Sequence, residues 1–131
     1  MKVVFDTNIY ISAFVFVGGS AEKAMQRVLN DKDALIISKP IIEETLRILS
    51  EKFERNIEEL SRTAIYLSEI ATTVEPAERL TVLSDEPDNR ILECAIEGGA
   101  EKIVTGDKAM LSLGMYESVE IVSLRNYLSS D

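Results

Sequence analysis

MKVVFDTN, residues 1–8, carries a short apolar run, Lys2–Phe5, into an aspartate, Asp6; KIVTGD, residues 102–107, repeats the arrangement and ends on Asp107. Ionised carboxylates are costly to bury, so two strands that end on one need a physical reason. Similar runs occur at Ala34–Ile37, Thr72–Val74 and Val119–Val122. Most are apolar on both faces rather than alternating, as strands of a parallel sheet covered on both sides are. Helical patterns lie between them, over about Asn8–Val17, Ala21–Asn30, Pro40–Glu54, Ile57–Ala71, Pro87–Gly98, Lys108–Leu113 and Leu124–Leu128. Strands alternating with helices predict right-handed crossovers and a three-layer α/β/α sandwich. In such sheets ligands bind beyond the carboxyl ends of the strands, where strand order reverses. Asp6 and Asp107 both fall at strand ends of this kind.

The composition narrows the chemistry. At 131 residues, with 46% apolar and 28% charged residues, the chain is expected to form one domain over residues 1–131 around one core. There is no histidine, which excludes Ser-His-Asp and Cys-His catalysis and any imidazole-bound metal. A metal here needs oxygen ligands, which favours Mg²⁺, Mn²⁺ or Ca²⁺. The one cysteine, Cys94, lies in an apolar helical pattern and reads as a core residue. The longest apolar run, IYISAFVFV, is too short to span a bilayer and makes a poor secretory signal, so a soluble, cytoplasmic protein is expected. The formal charge of −9 argues against a general nucleic-acid binder.

Two further acidic positions stand out. In SDEPDNRILECAIEGG, Pro87 opens a helix that Gly98 and Gly99 close, and Asp88 shares a face with Ile91, Leu92 and Ala95. That places Asp88 on the inward side of its helix, at the N-terminal end. A capping role is the alternative for Asp88 as for Asp6 and Asp107, and Asp85 is a second candidate for the place of Asp88. In KPIIEETLRILSEKF, helical periodicity leaves Glu43 and Glu44 both open, at the edge of the apolar arc. Four carboxylates meeting in one crevice would repel one another, and such a cluster persists at neutral pH with a compensating cation. The heptad spacing of Ile57, Leu60, Ala64, Leu67 and Ala71 predicts an antiparallel helix hairpin, or the surface of a homodimer.

The stretches VVFDTNIYISAF, SKPIIEETLRIL and DEPDNRILECAIEGGAEKIVTGDKAML, with the final EIVSL, resemble the PIN domain family, including the toxin components of toxin–antitoxin pairs. The resemblance implies a five-stranded parallel sheet of order 3-2-1-4-5, with the strands of Asp6 and Asp107 side by side. It implies an acidic quartet of Asp6, Glu44, Asp88 and Asp107 that is catalytic and holds Mg²⁺ or Mn²⁺, and so selects Glu44 over Glu43. Asn8 and Thr105 match positions that orient the acids from behind. The implied activity is metal-dependent endoribonuclease cleavage leaving a 5′-phosphate and a 3′-hydroxyl, with an antitoxin protein as a partner. Lys39, Arg90 and Lys108 are the candidate cations for RNA. With few bases, RNA binding is expected to be weak and to fall with salt. A catalytically silent PIN-fold interaction module and a receiver-like Mg²⁺-dependent phosphoacceptor are the alternatives; the second lacks the paired acids after the first strand that it would need.

Overall fold

The computed structural model describes residues 1–130. Its strands are β1 (Lys2–Phe5), β2 (Ala34–Ser38), β3 (Ala71–Val74), β4 (Lys102–Val104), β5 (Met115–Tyr116) and β6 (Val119–Val122). The helices are α1 (Thr7–Val15), α2 (Ser20–Leu29), α3 (Lys39–Phe53), α4 (Ile57–Ile70), α5 (Glu86–Gly98), α6 (Lys108–Leu113) and α7 (Leu124–Ser129). The sheet order is β3-β2-β1-β4-β6-β5. Its first five members are parallel and give the expected order, and strand order reverses between β1 and β4.

The sixth strand departs from the five-stranded expectation. Met115 and Tyr116 pair antiparallel with β6 through a tight turn at Glu117, whose φ is +52°. A two-residue turn with positive φ at its first central residue alone usually carries Gly there, and Glu117-Ser118 offers no such cue. The helix after β1 ends at Val15, short of the expected Val17. The two residues that follow, Phe16 and Val17, are exposed.

Val4 is in register with Ile36, so the two side chains share one face of the sheet. α5 packs on that face. A Cβ at Gly98 would come within 2.4 Å of Ile36 Cγ2, so only glycine allows this approach. Gly99, at φ +65°, supplies the left-handed C-terminal turn. Phe5 points to the other face, where its ring meets Tyr10 of α1 and Tyr127 of α7. Gly98→Ala is therefore expected to destabilise the protein by about 1–3 kcal/mol through overpacking. Chemical denaturation measures this, and a change within a few tenths would refute the close approach.

α3 and α4 form the expected antiparallel hairpin, with Leu49 and Leu67 fully buried. Residues 75–85 run back along α5 as a strap. Asn89, Glu93 and Glu97, each one helical turn apart, accept the N–H groups of Leu83, Leu80 and Ala77 at 2.8, 2.7 and 2.9 Å. Asn89 also donates to the Leu83 carbonyl at 2.8 Å. The strap thus gains backbone partners that a loop otherwise finds in water. Among the described residues, no helix is long and apolar enough to cross a membrane.

Candidate active site

The carboxyl edge of the sheet brings three of the four acids together. Phe5 pairs with Val104, so the next residues along, Asp6 and Thr105, lie side by side with their side chains toward the α5 face. The Asp6 N–H donates to the Val104 carbonyl at 2.9 Å, and the Thr105 N–H to that of Val122 at 3.0 Å, so both chain ends are fixed. Thr105 is fully buried, and its Oγ1 donates to Asp6 Oδ2 at 2.6 Å. The same oxygen accepts the Asp107 N–H at 3.0 Å. One hydroxyl therefore holds Asp6 and Asp107 in a common frame. Thr105→Val takes the hydroxyl from the buried Asp6 carboxylate, which keeps only its neighbouring backbone amides, and leaves the Asp107 amide without its partner; a loss of about 1–3 kcal/mol is expected. Thermal unfolding against wild type checks it, and an unchanged midpoint would remove this role.

Capping accounts for one aspartate only. Asp107 Oδ2 accepts the Met110 N–H at 3.0 Å and caps α6. Asp6 stands at the start of α1 without a side-chain capping bond, and Asp85 does so before α5, so Asp88 is not half of a capping box. Asp6 and Asp88 are each 6% exposed. Asp88 Oδ2 is buried with no hydrogen-bond partner.

The electrostatics follow from this crowding. Burial raises the Asp6 pKa, the Thr105 hydroxyl opposes the rise, and Asp107 adds to it. Asp88 is pushed up to about 7, by burial first, then by Asp107, Asp6 and Asp85. Like charges that share a site disfavour joint ionisation. Among the described residues, no three acids stand at the spacing of a closed set of metal ligands. The donor set nevertheless suits a hard divalent cation. It is all oxygen, mutually repulsive, and presents an orphaned carboxylate oxygen.

The other expected residues divide. Glu44, half-buried on α3, pairs with Arg47 on its own helix. Glu43 is exposed. Asn8 is exposed on the first turn of α1, and Lys39 and Lys108 are exposed at the starts of α3 and α6. Arg90 is enclosed: it pairs with Glu86 at 3.1 Å and Glu93 at 2.8 Å and donates to the Leu80 carbonyl at 3.0 Å, fastening the strap. Arg47 and Arg79, which escaped the sequence reading, line the groove beside Glu44. The i,i+3 spacing of Glu44 and Arg47 was a usable signal for the first. Nothing local marks Arg79, because its position depends on how the strap folds back.

The three aspartates stand at the reversal point of a doubly wound parallel sheet, the place where open α/β sheets put their ligands. The PIN domain profile matches residues 2–109, and the chain belongs to the PIN domain family. It is 31% identical over 117 residues to an uncharacterised protein of Methanocaldococcus jannaschii, covering 86% of this chain and 75% of that one. The fold is similar to that of VapBC2 from Rickettsia felis bound to a DNA fragment from their promoter. There the TM-score is 0.65 at 18% identity, over 94% of this chain and 98% of that one. It is similar too to VapBC-1 from nontypeable Haemophilus influenzae, with a TM-score of 0.67 at 19% identity, over 95% and 99% of the two chains.

Proposed function

We propose that this protein is a Mg²⁺- or Mn²⁺-dependent endoribonuclease that hydrolyses RNA phosphodiester bonds. Asp6, Asp88 and Asp107 would hold the cation, and Glu44 would join them or orient the attacking water. The observation that carries this reading is the burial of Asp6 and Asp88 beside Asp107, with one Asp88 oxygen left unpartnered. A purely structural site has no use for such an arrangement, since uncompensated carboxylates cost stability.

A divalent cation bound there supplies Lewis acidity: it lowers the pKa of a coordinated water and offsets charge on the phosphate and the leaving oxygen. The residues of the chain do the positioning. Thr105 turns Asp6 toward α5, and the first turn of α5 presents Asp88 from the opposite side. In the hydrolysis the water oxygen bonds to phosphorus as the bond to the 3′ oxygen breaks. The water gives up one proton, the 3′ oxygen takes one, and the phosphate stays on the 5′ end of the downstream fragment. The test is to incubate purified protein with labelled RNA in Mg²⁺ or Mn²⁺ and in EDTA. Cleavage confined to the metal-containing reactions is expected; cleavage that persists in EDTA would remove the proposal.

The biological setting we propose is that of a toxin in a toxin–antitoxin pair, acting in the cytoplasm as a homodimer or higher homo-oligomer with an antitoxin protein as its partner. The likeness in fold to two VapBC proteins supports the partner. Exposed Ile57 and Ile65 on α4 support a protein-covered surface.

A further inference from the structure

Arg47, Arg79 and Arg90 line a groove of about 400 Å³ together with Glu43, Glu44 and Glu86, between α3, the strap and the first turn of α5. A small cavity continues it from Glu44 and Pro87 to Thr7, the neighbour of Asp6. Each arginine already holds a glutamate. Arg47 bonds Glu44, and its Nη1 lies 2.8 Å from Glu51; Arg79 Nη2 lies 3.7 Å from Glu86. The three differ in freedom. Arg90 has only 11% of its side chain exposed and anchors the strap, whereas Arg47 and Arg79 are 57% and 72% exposed.

We propose that Arg47 and Arg79 bind backbone phosphates of single-stranded RNA beside the scissile bond, and that Glu44 and Glu86 occupy them until RNA takes their place. The inference rests on the ribonuclease reading of the adjoining acids. A guanidinium fork accepts carboxylate and phosphate oxygens with the same geometry, so the exchange replaces one charge-assisted pair by another. Exposed ion pairs are weak, so the resident glutamates offer little resistance. This arrangement also reconciles an acidic chain with an anionic substrate: the useful cations are those in the groove, masked rather than absent.

The test needs no turnover. Binding of fluorescein-labelled single-stranded RNA is followed by anisotropy in EDTA and low salt. Glu44→Gln is expected to tighten binding about two- to fivefold, the range that release of one exposed ion pair allows. Glu43→Gln removes the same charge from the same groove, but Glu43 pairs with no arginine among the described residues, so it should tighten binding less. The gain should vanish in the Glu44→Gln/Arg47→Ala double variant, while Arg47→Ala alone changes little. The inference is overturned if Glu44→Gln gains no more than Glu43→Gln, or if the gain survives loss of Arg47. An equal gain for a labelled polyglutamate peptide would overturn it too, by assigning the groove to an acidic protein partner. Failure of the ribonuclease reading shows separately, as an absence of metal-dependent cleavage whatever the binding pattern.

Discussion

Asp6→Asn and Asp88→Asn are each expected to lower RNA cleavage by on the order of 10²-fold or more while leaving the protein folded. Partners that merely orient a metal ligand are worth about 10–100-fold, and a ligand should exceed them. The carboxamide keeps the volume and one oxygen of the carboxylate, so packing at these buried positions is preserved. What it removes is negative charge, which is what a cation requires. Asp85→Asn is the informative companion. Asp85 is exposed, and its side chain makes no capping bond, yet its charge acts on Asp88. A small effect is expected there. If Asp85→Asn falls as far as Asp88→Asn, the two share one task; if neither Asp6→Asn nor Asp88→Asn impairs cleavage, the acids are not the site. Rates on a labelled RNA at saturating Mg²⁺, with circular dichroism to confirm folding, decide among these outcomes.

Much of this arrangement could be read from the chain, for identifiable reasons. The parallel core of the sheet was legible because strands buried on both faces are uniformly apolar, and Asp6 and Asp107 stood out against them. Asp88 was legible from helical phase, since Ile91, Leu92 and Ala95 fix the inward face. Helical phase failed where a polar residue was buried. Thr45 is fully buried on α3 because its hydroxyl donates to the Ile41 carbonyl at 2.8 Å, and a count of apolar residues alone passes over it. Asn89 and Glu93 are buried for a related reason, as acceptors for the strap. Their partners lie in a segment without periodicity, so no pattern in α5 announces them. The small antiparallel strand β5 was hidden likewise, behind a turn whose Glu117 carries a positive φ without the usual residue type. Glu44 is the instructive case. Periodicity placed it at the edge of the apolar arc, and there it sits, half-buried and paired with Arg47 one turn along its own helix.

Metal-free protein is expected to be more stable as Asp88→Asn than as wild type at pH 8, with the difference closing as the pH falls toward 4. An aspartate in an unfolded chain titrates near 3.9, whereas Asp88 in the fold is pushed up to about 7 by burial, then by Asp107, Asp6 and Asp85. Between those values the folded state holds a proton that the unfolded state has released, so stability declines as pH rises. Above about pH 7 the penalty is fully present; below the unfolded value both states are protonated and it disappears. Asp6, raised mainly by burial, contributes in the same direction. Asp33 works the other way. Its burial is outweighed by hydrogen bonds from Tyr127, the amino terminus and Arg27, so its pKa is lowered and its contribution fades in acid. The wild-type profile sums these effects, and the difference from Asp88→Asn isolates the site. At pH 8 that difference should be at least on the order of 1–2 kcal/mol, a fraction of what a shift to about 7 allows, or roughly 3–10 °C in Tm. Mg²⁺ should raise the wild-type Tm at pH 8 and leave that of Asp88→Asn nearly unchanged, because only the native site gains from binding. A substitution that abolishes cleavage while stabilising the metal-free fold marks a carboxylate retained at a cost in stability for its chemistry. Scanning calorimetry in EDTA across pH 4–8 tests the argument, and a variant less stable than wild type at pH 8 would show that Asp88 is held by contacts its charge does not oppose.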